Sequence, residues 1–137
     1  MVCEAIRVPF PESEKRIVKG RVEMLAFDCL IGHNDRHPYN WGIIVPIYKL
    51  HAPRFSPVFD TARALFWNVP ETRVRQMVSD RKQLETYISK CAPPFSWDKD
   101  PDVDFFRLMA LIWKQFDEYK PHINKFINET ALEQTRR

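Results

Sequence analysis

The sequence predicts a mainly α-helical domain with one small β-hairpin. Apolar residues recur at helical spacing over 12–31 and again through most of the second half of the chain. Strand character is confined to 41–48 and 54–59, which are close enough to pair as a hairpin. The length of 137 residues suits one domain and is too short for two of ordinary size.

Taken in order, residues 1–11 read as an extended lead ended by Pro9 and Pro11, with the folded domain running over 12–137. The first helix spans about 12–31 and sets Val18, Val22, Leu25 and Cys29 on one face. Its cations Lys15, Arg16, Lys19 and Arg21 read as a solvated face, with a polyanion site as the alternative. The pattern then breaks into a polar loop over 32–40. The strand at 41–48 is demoted toward a sheet edge by Pro46, and 54–59 is its antiparallel partner. Pro70 fits a first helical position for a short helix to about 78. Asp80 and Gln83 resemble a capping box ahead of Leu84, Tyr87, Ile88 and Cys91. The acidic run from Asp100 opens the strongest helix, with Phe105, Met109, Ile112 and Phe116 as a stripe that Phe106 and Trp113 widen. That helix is apolar on most sides and is expected at the centre of the core. Pro121 begins or kinks a last helix carrying Ile123, Phe126 and Ile127.

Composition removes several function classes. The three glycines, Gly20, Gly32 and Gly42, lie too far apart for a Walker loop or a dinucleotide-binding fingerprint. A net charge of +3 is too small to argue for nucleic acid, and no direct nucleic-acid partner is expected. Cys3, Cys29 and Cys91 are odd in number and show no metal-knuckle spacing, so each reads as a small buried hydrophobe in a reducing compartment. Residues 1–10 lack the apolar run of a signal peptide, and the 41–48 stretch is far short of a membrane span. A cytoplasmic protein without membrane partners is the expectation.

Chemistry concentrates in the loop that begins at Gly32. His33, Asn34, Asp35, Arg36, His37, Tyr39 and Asn40 place hydrogen-bonding side chains at nearly every position. Asp35 precedes Asn40 by the Asp-to-Asn spacing of a kinase catalytic loop, where the Asp takes the proton of the attacking hydroxyl and the Asn turns its amide oxygen to magnesium. Magnesium prefers hard oxygen ligands, usually one or two carboxylates with phosphate oxygens. A second acidic ligand is therefore expected after the hairpin, and Asp60 stands there, behind Phe59.

The stretch 27–44, with its Asp-Arg-His-x-x-Asn core, resembles the catalytic segment of the HipA-like serine/threonine kinases. The stretch 55–65, with Phe59, Asp60, Thr61, Ala62 and Arg63, is similar to their metal-binding segment. The core motif is also shared by phosphatidylinositol kinases, which usually show Asp-Phe-Gly at the second segment. The resemblance implies a kinase-like C-terminal lobe with Asp35 as catalytic base, Asn40 and Asp60 as magnesium ligands, and His37 as support for the loop. It implies Mg2+ and ATP as cofactors, transfer of the γ-phosphoryl group to a Ser or Thr hydroxyl of a protein substrate, and a toxin–antitoxin setting in which an antitoxin-like chain is a partner. Two departures accompany it. His33 stands where many members carry Asn, and no chemical role is assigned to it. The 34 residues before Asp35 read mostly as helix, so the expectation is a C-terminal lobe lacking the N-terminal lobe, whose phosphate-covering loop and lysine would come from a partner chain.

Competing readings attach to the same residues. An inactive kinase remnant serving as a binding or regulatory module is the non-enzymatic alternative, and a phosphatidylinositol-kinase-like fragment is another. His33, Asp35 and His37 alternate as zinc ligands do, but His51 and His122 are remote. Arg36 and Arg63 are expected in salt bridges with Asp28 or neighbouring carboxylates, a phosphate contact being the alternative. Trp41, Trp67, Trp97 and Trp113 read as packing residues.

Overall fold

The computed structural model describes residues 2–48, 50–93, 95–97, 100 and 102–128, with the side chains of 2–4, and so that of Cys3, outside the description. Six α-helices, two short 3-10 turns and one two-stranded antiparallel sheet make up the described elements. The chain opens with helix α1, Val2–Arg7, where an extended lead is expected. Ile6 explains the difference: it is buried against the core, and a helical turn is what carries it there. Arg7 then pairs with Glu14 at 2.9 Å, across the break before the next helix.

Helix α2, Glu14–Ile31, is the axis of the molecule. It buries Ile17, Val18, Val22, Met24, Leu25, Ala26 and Cys29, more than one face, because other elements pack on several of its sides. Of its expected solvated cations, Arg21 departs. Its guanidinium is buried, 4.3 Å over the Trp41 ring and 5.3 Å from that of Phe95. Arg16 reaches the carbonyls of Ala52 and Pro53 and ties down the hairpin.

The hairpin is shorter than expected. Strands β1, Ile43–Ile44, and β2, Arg54–Phe55, pair in the register Ile43 with Phe55 and Ile44 with Arg54. Pro46 and Pro53 flank the paired residues, and a proline nitrogen has no hydrogen to give a ladder. Gly20 lets this sheet approach α2, since a Cβ there would lie 2.6 Å from that of Phe55.

Helices α3, Glu71–Ser79, and α4, Arg81–Ile88, follow. Pro70 caps α3 instead of occupying its first turn. Asp80 serves both helices: its N–H bonds the α3 carbonyls of Gln76 and Met77, and its carboxylate accepts from the N–H groups of Lys82 and Gln83. Because that N–H is already used, the Gln83 amide turns to the Asp80 carboxylate, at 2.6 Å. Helix α5, Phe105–Gln115, starts later than expected, with Asp104 as its cap, and ends before Phe116, which is exposed. It buries Phe105, Leu108, Met109, Ala110 and Ile112 beside α2. Helix α6, Lys120–Asn124, completes the core with Ile123, followed by Ile127. No helix among the described residues is long and apolar enough to cross a membrane.

Glu23 holds α6 to α2 through His122 at 2.8 Å and Lys125 at 3.1 Å. Burial favours its protonated form, but the hydrogen bonds from Lys125 and His122 outweigh it and hold the carboxyl below the ordinary 4.5. The unfolded chain therefore binds this proton more readily than the folded one. The contribution is complete above the unfolded value and is lost as pH falls through the lowered one. Urea midpoints measured across the acidic range should decline accordingly, and Glu23→Gln should flatten that decline; identical profiles would contradict the assignment.

Candidate active site

The site is built on the C-terminal end of α2. Gly32 closes the helix in the left-handed region, with φ at 60°, which a glycine adopts without strain. The N–H groups of Gly32 and His33 both bond the carbonyl of Asp28, so the chain reverses tightly into the polar loop. The loop ends in a 3-10 turn, Pro38–Asn40, capped by His37, whose Nδ1 accepts the Tyr39 N–H at 3.3 Å.

Asp28 and Arg36 make the central contact. Arg36 Nε donates to one carboxylate oxygen of Asp28 and Nη2 to the other, each at 2.8 Å, and neither side chain is more than 1% exposed. Its remaining nitrogen, Nη1, donates at 2.7 Å to the carbonyl of Asn40 and at 2.7 Å to that of Phe59. One guanidinium thus joins α2, the end of the polar loop and the residue before Asp60. A planar fork with several donors is required for this; a lysine ammonium has neither the shape nor the bidentate fit.

His33 is a second junction, a role the sequence reading does not assign to it. The ring is fully buried. Its Nδ1 accepts the backbone N–H of Asp35 at 3.1 Å. That leaves Nε2 as the protonated nitrogen, which donates to the carbonyl of Asp60 at 3.0 Å. One neutral tautomer therefore links the backbones of Asp35 and Asp60. The signal available in advance was the His-x-Asp spacing itself, which reads equally well as a chance histidine near an acid.

The three acidic and amide groups singled out by sequence sit around these junctions. Asp35 is partly exposed, and its carbonyl accepts the Asn40 side-chain N–H at 2.9 Å. Asn40 is buried, and this bond turns its amide oxygen away from Asp35. Asp60 is exposed and left-handed, with φ at 53°, a region that Asp tolerates better than most residues. Leu65 and Phe66 are also left-handed, with φ of 51° and 60°, which costs about 1–3 kcal/mol apiece. The Phe66 ring offsets part of this by stacking on Tyr87, with centroids 4.5 Å apart. Arg63 Nε lies 3.3 Å from Asp35 Oδ2, in an exposed pair of a kind worth about 0.2–1 kcal/mol.

The donor chemistry suits magnesium. An amide oxygen and a carboxylate are hard ligands, and two protein ligands leave the other positions to water and phosphate oxygens. Zinc through His33 and His37 fits poorly, since both ring nitrogens of His33 are engaged by backbone. Among the described residues, no group of three or more His, Cys, Asp or Glu is arranged to hold a metal ion. Cys29 and Cys91 are buried free thiols, and burial, aided by Asp104, Asp28 and Cys91, pushes the Cys29 thiol up to about 12. An open groove of about 550 Å3 lies elsewhere, between α2, β2 and Phe126, and includes none of Asp35, Asn40 and Asp60. Trp67 departs from the packing expected of it: it is half exposed, with the Arg63 guanidinium 5.2 Å from its ring. Comparison with protein-family models, curated proteins and solved structures returned no match.

Arg36→Met should destabilise the chain by about 3–5 kcal/mol in urea, because it strands a buried carboxylate. Adding Asp28→Leu should restore much of that stability while leaving the amide shifts of Asn40 and Asp60 displaced. Recovery of both stability and shifts would show that the guanidinium does not organise the loop. His33→Ala should cost about 1–3 kcal/mol and speed hydrogen exchange at the Asp35 amide; unchanged exchange would exclude the linking role.

Proposed function

We propose that this chain supplies the catalytic and metal-binding groups of a HipA-like serine/threonine protein kinase. The observation that carries the reading is the sharing of Arg36 Nη1 between the carbonyls of Asn40 and Phe59, which sets the amide-bearing residue beside the peptide that leads into Asp60. In this reading Asp35 accepts the proton of the acceptor hydroxyl as its oxygen bonds to the γ-phosphorus and the bond to the ADP oxygen breaks. Asn40 Oδ1 and the Asp60 carboxylate hold magnesium, which neutralises charge on the phosphate oxygens when bound. His33 and Arg36 fix the backbones of these residues without touching substrate.

The hairpin adds support for a second lobe or partner chain. Ile47, Tyr48 and Leu50 are exposed at 90%, 82% and 77%, a crest of apolar side chains at the hairpin end of the molecule. A lobe that covers the phosphates and holds the adenine would rest on such a crest, burying it.

Manganese, as a paramagnetic stand-in for magnesium, should broaden the backbone resonances of Asn40 and Asp60 when added with nucleotide. Unaltered spectra at millimolar metal would overturn the metal assignment. Supplied with a HipA-like N-terminal lobe, fused or in trans, the chain should transfer phosphate, and Asp35→Asn should lower that activity about 10²–10⁴-fold. Asp60→Ala should abolish it, and Asn40→Ala should do less harm. A folded but inert complex would favour the binding-module alternative.

A further inference from the structure

The contact between Arg63 and Asp35 places a guanidinium against one oxygen of the proposed base. Arg63 Nε lies 3.3 Å from Asp35 Oδ2. A carboxylate beside a guanidinium is a weaker base than a free one, because the cation favours its charged form. The backbone of Arg63 is fixed, however, and only its side chain is loosely held. Its carbonyl accepts the Asn34 N–H at 3.2 Å, and Leu65 N–H bonds the Ile31 carbonyl at 2.9 Å. The side chains of Arg63 and Asp35 are 53% and 33% exposed, so water screens the pair and another anion can displace it. Arg63 also stands three residues after Asp60, on the segment assigned to the metal.

We propose that Arg63 is a gate on Asp35 that opens to a metal-bound polyphosphate. Without one, the guanidinium pairs with the carboxylate. When a polyphosphate is chelated at Asn40 and Asp60, Arg63 swings to its oxygens, for which a guanidinium has a bidentate fit, and the Asp35 carboxylate is released to the acceptor hydroxyl. The polyphosphate binds only the released state, so it shifts the equilibrium toward it. The inference rests on the roles proposed for Asp35, Asn40 and Asp60.

Trp67 reports the motion, since the guanidinium lies 5.2 Å from its ring. Magnesium pyrophosphate titrated into the full chain should change the emission that distinguishes wild type from Trp67→Phe. Arg63→Gln should remove this change and Arg63→Lys should retain part of it; both sites are exposed enough to keep the fold, which circular dichroism checks. Asp35→Asn should tighten pyrophosphate binding about two- to fivefold through loss of the competing pair, and by distinctly less when combined with Arg63→Gln. An emission change that survives Arg63→Gln, or an equal effect of Asp35→Asn in both backgrounds, would overturn the gate. So would an equal response to orthophosphate without magnesium, which marks a simple anion site. Manganese broadening of Asn40 and Asp60 without any response from Arg63 would overturn the gate alone. Absence of both manganese broadening and pyrophosphate binding in every variant would overturn the gate and the kinase reading together.

Discussion

Everything proposed for this chain depends on the buried ion pair between Asp28 and Arg36. Removing both charges from water is costly, and the cost is met only because the pairing is bidentate and the spare nitrogen also finds acceptors. Those acceptors are the useful part. The carbonyls of Asn40 and Phe59 lie on either side of the hairpin, beyond the last ladder bond, which Ser56 donates to the Gly42 carbonyl. A hydrophobic pair in place of Asp28 and Arg36 could fill the same volume. It could not draw two carbonyl groups to one point, because burying them unpaired would cost more than the packing returned.

His33 extends the same logic by a different chemical route. The guanidinium gathers carbonyls by donating to them, whereas the imidazole joins an N–H to a carbonyl by accepting on one side and donating on the other. Only a neutral ring can do both. The two junctions act in parallel: Arg36 ties Asn40 to Phe59, and His33 ties Asp35 to Asp60. These two side chains add to the Asn34 N–H bond to the Arg63 carbonyl in joining the loop to the segment after the hairpin, both of irregular backbone.

The helices were legible because periodicity and caps are local signals. The 12–31 pattern found α2, and Asp80 and Gln83 located the junction of α3 and α4. The errors came where a tertiary contact overrode local preference. Ile6 draws a helix from a segment that reads as extended, and Arg21 leaves the charged stripe of α2 to lie between Trp41 and Phe95. In the candidate site, the spacing of Asp35, Asn40 and Asp60 was visible, and so was the pairing of Arg36 with Asp28. The function of that pairing was not, since its significance lies in two backbone carbonyls, and a backbone carbonyl carries no residue identity to read. His33 was missed for the same reason: both of its partners are main-chain atoms.

These contacts divide the site into a dry framework and a wet working surface. Asp28, His33, Arg36 and Asn40 are buried, whereas Asp60 and Arg63 are exposed and Asp35 is partly so. The proposed phosphoryl transfer would use this division, because catalysis of that kind is mostly positioning and charge neutralisation. In the proposed reading the base and the carboxylate ligand must be reachable by substrate, so the side chains of Asp35 and Asp60 cannot be fixed by burial. Asn40, by contrast, is buried and held by its bond to the Asp35 carbonyl. The backbones of Asp35 and Asp60 can be fixed, and Arg36 and His33 fix them. Arg63 follows the same pattern, its main chain anchored to Asn34 while its side chain is half exposed, as the proposed exchange of one anion for another would require. Rigidity in this molecule is therefore placed one bond removed from the chemistry, at the peptide groups, and mobility is left to the charged ends that would do the work.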